Sequence, residues 1–362
     1  MYGNNLYPAL QMTNACNKNC RACLRSANTV DDKIKSEVFA GYLRDIQKAS
    51  ELYKIQYQFV TGGEPTIWKE PGKDITDILI SLSELELIDI ISMPTNGKVF
   101  EDLNFAREFF TKLSRGLKTN IITGISIADY QENLGENGYI ALDNLITISS
   151  EPGMKFTPII MVTLSVEDNT DKRLAEIYPG IFQRVTPLAP LGYAAEMDES
   201  VPSLNLAGKD KSTLGAFLPH FVKDIHDKLG ISTVEVIDTP NYILMDKLSH
   251  HNHCGCSPFI DSKWNYCLPL KDDTRFNLCS IGDFETDTIG NFLKTAPLMR
   301  AYREEGILTA VNRLQDKLKP ESQEKLDHLL SEKSLVPVAY RGCMICKSLY
   351  DLGIVDELNT SV

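Results

Sequence analysis

No stretch of the chain stays apolar for the roughly 20 residues that a helix needs to cross a bilayer, and the opening Met-Tyr-Gly-Asn-Asn-Leu-Tyr-Pro carries neither a basic n-region nor a cleavable apolar segment. The expectation is a cytoplasmic protein with no membrane partner. Positive charge is scarce as well. Against 49 Asp and Glu there are 37 Lys and Arg, a net charge of −12 with a pI near 5.1, which argues against a nucleic-acid partner held through phosphate contacts. There is no internal repeat, no low-complexity tract and no linker of disordered composition. Cysteine is missing from residues 24 to 253.

What is present divides along that gap. The nine cysteines fall at 16, 20 and 23, and then at 254, 256, 267, 279, 343 and 346. Scattered core cysteines would not segregate in this way, and thiols kept reduced in the cytosol serve metals or chemistry rather than staples. Two metal-bearing regions joined by a cysteine-free scaffold is the better reading. With 362 residues, 43% of them hydrophobic and 24% charged, the chain can bury a large core and accommodate one barrel-sized domain plus a smaller one.

The scaffold alternates strand and helix patterns. Short apolar runs at Leu6 to Met12, Ile55 to Val60, Leu87 to Met93, Ile121 to Ile127, Phe156 to Leu164 and Phe182 to Leu188 predict six strands. Helical spacing lies between them, first with Val38, Phe39, Tyr42, Leu43, Ile46 and Ala49 on one face. A second helix follows with Ile75, Ile78, Leu79, Leu82 and Leu85, for which Asp74 is a plausible N-cap. Further helices are expected at about Asp102 to Leu117, Tyr139 to Ile148 and Asp171 to Ile177. Six strands alternating with helices imply parallel pairing with right-handed crossovers. The chemistry then gathers at the C-terminal ends of the strands, where the loops converge. Beyond Gly192 the pattern loosens, with a helix expected at Leu214 to Leu229, a strand at Thr233 to Ile237 and a boundary near 240.

Cys16-x3-Cys20-x2-Cys23 places three thiols within eight positions. Such a loop can wrap a zinc ion, a redox centre or a four-iron cluster, and in the last case three thiolates leave one iron open, the mark of a reactive rather than a structural site. Together with Gly62-Gly63-Glu64-Pro65, which follows the apolar run ending in Val60, this loop resembles that of the radical S-adenosylmethionine (radical SAM) superfamily.

The resemblance implies an α/β fold, a partial (β/α)6 TIM-like barrel over residues 1–195, with a connecting region at 196–249 and a small C-terminal Fe-S cluster-binding domain at 250–362. It implies a [4Fe-4S] cluster on Cys16, Cys20 and Cys23, with the amine and carboxylate of S-adenosylmethionine (AdoMet) on the open iron. Gly62 and Gly63 would let the backbone approach this ligand, and Glu64 would face the methionine ammonium. One electron passed into the sulfonium would yield a 5′-deoxyadenosyl radical, the hard chemistry belonging to the cofactor. A reductase such as flavodoxin or ferredoxin would supply the electron. Ala22 departs from the aromatic residue common before the third cysteine. Asn96, Ser126 and Thr163, at the ends of the third, fourth and fifth strands, are candidates for ribose or carboxylate contacts. They read equally well as turn formers or solvated strand ends.

The later cysteines resemble the SPASM/Twitch extensions of the same superfamily, in Cys267, Cys279, Ile289-Gly290-Asn291-Phe292 and Cys343-x2-Cys346. The implied set for an auxiliary [4Fe-4S] cluster is Cys267, Cys279, Cys343 and Cys346, and Cys254 or Cys256 could replace one of them. Thr274 stands where the family has glycine, and the later cysteine series of a full SPASM domain is absent. Four-thiolate zinc remains an alternative. Cys254 and Cys256, beside His250, His251 and His253, are candidates for catalytic hydrogen-atom or acid–base chemistry. The plainer reading is one cluster ligand and a turn. Asp129, Tyr130 and Tyr193 lie near strand ends as candidate substrate contacts or cavity wall.

Three functions fit. The first is oxidative modification, such as cross-linking, of a peptide or amino-acid-like substrate. The second is a dehydrogenase or epimerase of a small metabolite such as an aminocyclitol or sugar. The third is an iron–sulfur electron carrier without a reaction of its own, which would have no need of a receptor for a methionine amine. The chain begins almost directly at the first strand, so no leading domain of the kind that grips a peptide leader is expected.

Overall fold

Alternating hydrophobic periods become alternating elements. The computed structural model describes residues 9–18, 20, 33–51, 57–118, 121–127, 136–164, 170–181, 183–187, 259–260, 265–269, 275–280, 318–324 and 327. In chain order these form β1 (Ala9–Gln11), α1 (Ser36–Ala49), β2 (Tyr57–Thr61), a small ribbon of β3 (Lys69–Glu70) and β4 (Lys73–Asp74), and α2 (Ile75–Ser83). There follow β5 (Ile90–Thr95), α3 (Leu103–Gly116), β6 (Ile121–Ile127), α4 (Glu136–Ser149), β7 (Phe156–Leu164), α5 (Thr170–Ile177) and β8 (Gln183–Pro187). The expected helix over 214–229 and strand over 233–237 lie outside the described residues.

Strands β1, β2, β5, β6, β7 and β8 are neighbours in that order, and every pair is parallel. Each parallel step needs a crossover, which the helices supply. A second piece of chain joins the same sheet. β9 (Phe259–Ile260) pairs in parallel with the outer edge of β1, and β10 (Asn265–Pro269) and β11 (Arg275–Ser280) follow it as an antiparallel hairpin. The sheet therefore runs β11-β10-β9-β1-β2-β5-β6-β7-β8. Nothing in the sequence pattern signalled that strands of the C-terminal region would extend the barrel sheet.

Parity along the strands separates two faces. Gln58 and Val60 of β2 are fully buried toward α1, where the Tyr42 hydroxyl donates to Gln58 Oε1 at 2.6 Å. Phe59 and Thr61 have the opposite parity and belong to the inner face, and register carries that face through Ser92 of β5 to Ile122 of β6 and Thr157 of β7. On the helix side, Phe100, Phe109, Phe110 and Phe156 form a buried aromatic cluster, with Phe110 stacked on Phe156 at 3.8 Å between centroids.

The strand expected at Leu87 to Met93 starts instead at Ile90 and continues through Pro94 and Thr95. Leu85 and Ile88 are held in successive turns, with Leu85 N donating to Leu82 O and Ile88 N to Leu85 O, and Ile88 is buried there. A buried turn residue carries the same apolar signal as a strand residue. Pro94 is tolerated because pairing with β2 stops at Ser92, leaving that side locally an edge.

Asp74 caps α2 as expected, accepting from Thr76 N at 2.8 Å while its own N–H donates to Asp77 Oδ2 at 2.8 Å. Lys112 of α3 reaches both carboxylates, at 3.0 Å and 3.2 Å. Burial pushes the Asp74 carboxyl up, but hydrogen bonds from Thr76 and Lys112 outweigh it and hold the group below its ordinary value. Asp74→Ala should lower stability in urea titrations by about 1 kcal/mol, chiefly through the lost cap. Because the folded-state pKa is depressed, the gap between wild type and variant should be full at neutral pH and close as pH falls through that lowered value.

Candidate active site

The ends of β1 and β2 do not stop pairing where the strands formally end. Met12 N donates to Thr61 O at 2.9 Å, Gly63 N to Thr13 O at 2.7 Å and Glu64 N to Ala15 O at 2.9 Å. The segment that opens the cysteine loop is thus stitched, backbone to backbone, onto Gly62-Gly63-Glu64. A Cβ on Gly62 would stand 2.4 Å from Thr13 O, and one on Gly63 would stand 2.2 Å from Ala15 O. From the sequence these glycines were expected to let the backbone approach a ligand. The room that they make is filled by the cysteine loop.

The far end of the loop is closed on the same spot. Ile34 N donates to Met12 O at 2.9 Å, and Thr13 and Lys33 form an antiparallel bridge. Trp68, 1% exposed, donates its indole N–H to Ile34 O at 2.8 Å. Lys35, the N-cap of α1, gives that helix no side-chain cap, and Glu70 supplies one from the ribbon by accepting from Ser36 N at 3.0 Å. Its hydrogen bond with the Ser36 side chain holds the Glu70 carboxyl below the ordinary range. The chain from 65 to 70 therefore clamps the loop exit, while 62 to 64 hold its entry.

Glu64 is 1% exposed. Its Oε1 accepts from Thr66 N at 3.1 Å, Thr66 Oγ1 at 2.6 Å and Thr95 Oγ1 at 2.8 Å, and its Oε2 accepts from Asn96 N at 2.7 Å. Burial nevertheless dominates and raises its pKa above the ordinary value, against those four hydrogen bonds. None of the ion pairs among the described residues involves it. Such a carboxylate is oriented but under-compensated, and a cation brought to it would relieve the desolvation. Thr66 and Thr95 were not anticipated as site residues, although their places beside Gly-Gly-Glu-Pro and before Asn96 were the available signal.

Cys16 and Cys20 are both half-buried. The sulfur of Cys16 accepts from Lys18 N at 3.4 Å and from Asn96 Nδ2 at 3.7 Å. Two N–H donors aimed at one sulfur suit a thiolate, and a thiolate so supported is the donor an iron–sulfur cluster needs. Among the described residues no group of three His, Cys, Asp or Glu side chains converges, and Cys23 lies outside them.

Other expected site residues distribute as follows. Ser126 and Thr163 are each the penultimate residue of their strand, paired with Met161 and Thr186. They lie at the same end of the sheet as Asn96. Cys267 and Cys279 lie on the two paired strands of the β10–β11 hairpin, not in direct register. Cys267 is opposite Asn277 and Cys279 opposite Tyr266, with a register shift between Tyr266 and Cys267. Cys254, Cys256, Cys343, Cys346, His250, His251, His253, Asp129, Tyr130 and Tyr193 lie outside the described residues.

No family model matches the chain. It is 23% identical over 282 residues to the 7,8-dihydro-6-hydroxymethylpterin dimethyltransferase of Methanocaldococcus jannaschii, covering 69% of this chain and 50% of that protein. The chain thus spans about half the length of this curated relative. Among solved structures it resembles Streptococcus suis SuiB bound to the precursor peptide SuiA, with a TM-score of 0.51, 16% identity and coverage of 83% of this chain and 67% of that one. It also resembles anSMEcpe with bound AdoMet, with a TM-score of 0.51, 14% identity and coverage of 99% of both chains. Both are radical SAM enzymes, and the fold of this chain is theirs.

The stitched contact makes a direct prediction. Gly63→Ala should destabilise the protein by about 1–3 kcal/mol in denaturant titrations, the usual range for overpacking. Iron retained after anaerobic reconstitution should fall with it. Gly72→Ala is the control, a substitution strained only by its positive φ of +76°, since nothing lies within 4 Å of its would-be Cβ. It should leave the iron content unchanged.

Proposed function

We propose that the chain is a radical SAM enzyme whose cluster loop is residues 16–23 and whose receptor for the AdoMet amine is Glu64. The observation that carries this reading is the backbone seam between residues 12–15 and 61–64, which sets two half-buried cysteines of one short loop beside a buried carboxylate with no ion pair among the described residues. An electron carrier has no use for the second of these.

In this reading Cys16, Cys20 and Cys23 hold a [4Fe-4S] cluster. Bound there with AdoMet, such a cluster would supply one-electron reduction of the sulfonium, the chemistry by which hydrogen would be taken from the substrate. The chain's own residues do the positioning. Thr66 and Thr95 fix Oε1 of Glu64, so the carboxylate need not reorganise when an ammonium arrives. Burial of Glu64 keeps water away and strengthens its pull on that cation. Ser126 and Thr163, at the same ends of neighbouring strands, are the candidates for further polar contacts to AdoMet.

For the substrate, we favour oxidative modification of a peptide or amino-acid-like molecule, with an auxiliary [4Fe-4S] cluster on Cys267, Cys279, Cys343 and Cys346, Cys256 being a possible substitute, and with Cys254 and Cys256 as candidate catalytic thiols. The structural likeness to SuiB, whose solved structure holds a precursor peptide, supports the peptide reading. The likeness to a protein named for a pterin supports a small-molecule substrate as the second reading. A flavodoxin or ferredoxin would serve as reductase.

Anaerobically reconstituted, dithionite-reduced protein should convert AdoMet to 5′-deoxyadenosine; a fully iron-loaded protein that never does so is an electron carrier instead. Iron should number about eight per chain if each of two clusters holds four, and should fall by half in Cys267→Ala or Cys343→Ala. Glu64→Gln should weaken AdoMet binding by about 10- to 100-fold in equilibrium dialysis, the equivalent of losing one charge-assisted hydrogen bond.

A further inference from the structure

Asn96 was expected to touch the cofactor, yet its side chain is already committed elsewhere. Its Oδ1 accepts from Lys98 N at 3.0 Å, which settles which way the carboxamide faces. Its Nδ2 is thereby turned toward the cysteine loop, 2.8 Å from Asn17 Oδ1 and 3.7 Å from Cys16 Sγ. Its backbone N–H meanwhile donates to Glu64 Oε2 at 2.7 Å. The turn that carries it is braced on the other side, where Gly97 takes a φ of 74° and donates its N–H to Thr95 Oγ1 at 3.1 Å. One residue at the end of β5 thus holds the first sulfur of the loop and the buried carboxylate at once, 80 positions away from that cysteine in the chain.

We infer that Asn96 is a positioning residue that sets the reduction potential of the centre held by Cys16, by donating its side-chain N–H to that sulfur. The inference rests on the reading of residues 16–23 as a cluster loop. A donor to a ligand sulfur stabilises negative charge on it, and the reduced state carries one charge more than the oxidised state. The bond therefore favours the reduced state and raises the potential. The backbone N–H of Lys18 is a second donor to the same sulfur, and substitution at Asn96 leaves it in place.

The test is a redox titration of the full-length, anaerobically reconstituted protein, followed by electron paramagnetic resonance. The signal to follow is the one that disappears in Cys16→Ala, which separates this centre from any other in the chain. In Asn96→Ala the ratio of reduced to oxidised centre at the wild-type midpoint should fall about tenfold, a downward shift of about 59 mV for a one-electron couple. Asn96→Asp keeps the shape and the acceptor for Lys98 N, so it preserves the turn. It removes the donor and adds negative charge, and should shift further in the same direction. A midpoint unchanged in both variants overturns the inference, and so does a loss of iron in which the remaining signal keeps the wild-type midpoint, since a mere loop pin would do that. Wild-type protein with no such signal would instead bring down the cluster reading itself and this inference with it.

Discussion

The site depends on a seam of backbone hydrogen bonds between the end of β2 and the start of the cysteine loop. Parallel pairing already sets β1 beside β2, with Leu10 opposite Val60 and Gln11 opposite Thr61. Carrying the pairing three residues further requires the two chains to approach more closely than side chains permit, and Gly62 and Gly63 remove the obstacle. The loop's entry is in this way referenced to the rigid sheet rather than left to find its own conformation. A constellation that must hold thiols to a fraction of an ångström gains from being an extension of a strand pair.

The polar groups near that seam are arranged in depth. Thr61, Glu64, Thr66 and Thr95 are all buried, at or just beyond the C-terminal ends of β2 and β5. A buried carboxylate is costly, and four hydrogen bonds compensate it only partly, so its proton affinity stays high. Buried polarity concentrated at the strands' C-terminal ends is the arrangement in which an incoming cation finds a ready partner and little water.

Much of this was legible in the residues. The strands at Ile121–Ile127 and Phe156–Leu164 and the Asp74 cap follow from periodicity and capping chemistry alone. The two site motifs were legible because spacing and residue type both carry chemistry, in Cys16 and Cys20 as in Gly63 and Glu64. What stayed hidden depends on contacts far apart in the chain. Gly63 meeting Ala15, Glu70 capping α1 and Asn96 reaching Cys16 are tertiary facts, invisible to any local window. Ile88 was misassigned to a strand for the related reason that burial in a turn and burial in a sheet use the same apolar residue. β9 escaped notice because a two-residue strand leaves almost no periodic trace.

That short strand has a consequence for the whole molecule. A sheet of six parallel strands that does not close leaves β1 as an edge, with unpaired N–H and C=O groups on the very strand that delivers the cysteine loop. β9 covers that edge, and the register continues across it, with Cys267 opposite Phe259, Phe259 opposite Ala9 and Ala9 opposite Phe59. At about 4.8 Å between neighbouring strands, the backbone of Cys267 lies roughly 10 Å from that of Ala9. The hairpin bearing Cys267 and Cys279 is thus not an appendage whose distance from the loop is set by a tether. It is held through one shared ladder to the strand from which the loop departs, so any displacement of the hairpin along the sheet must break pairs with β1 or carry β1 with it.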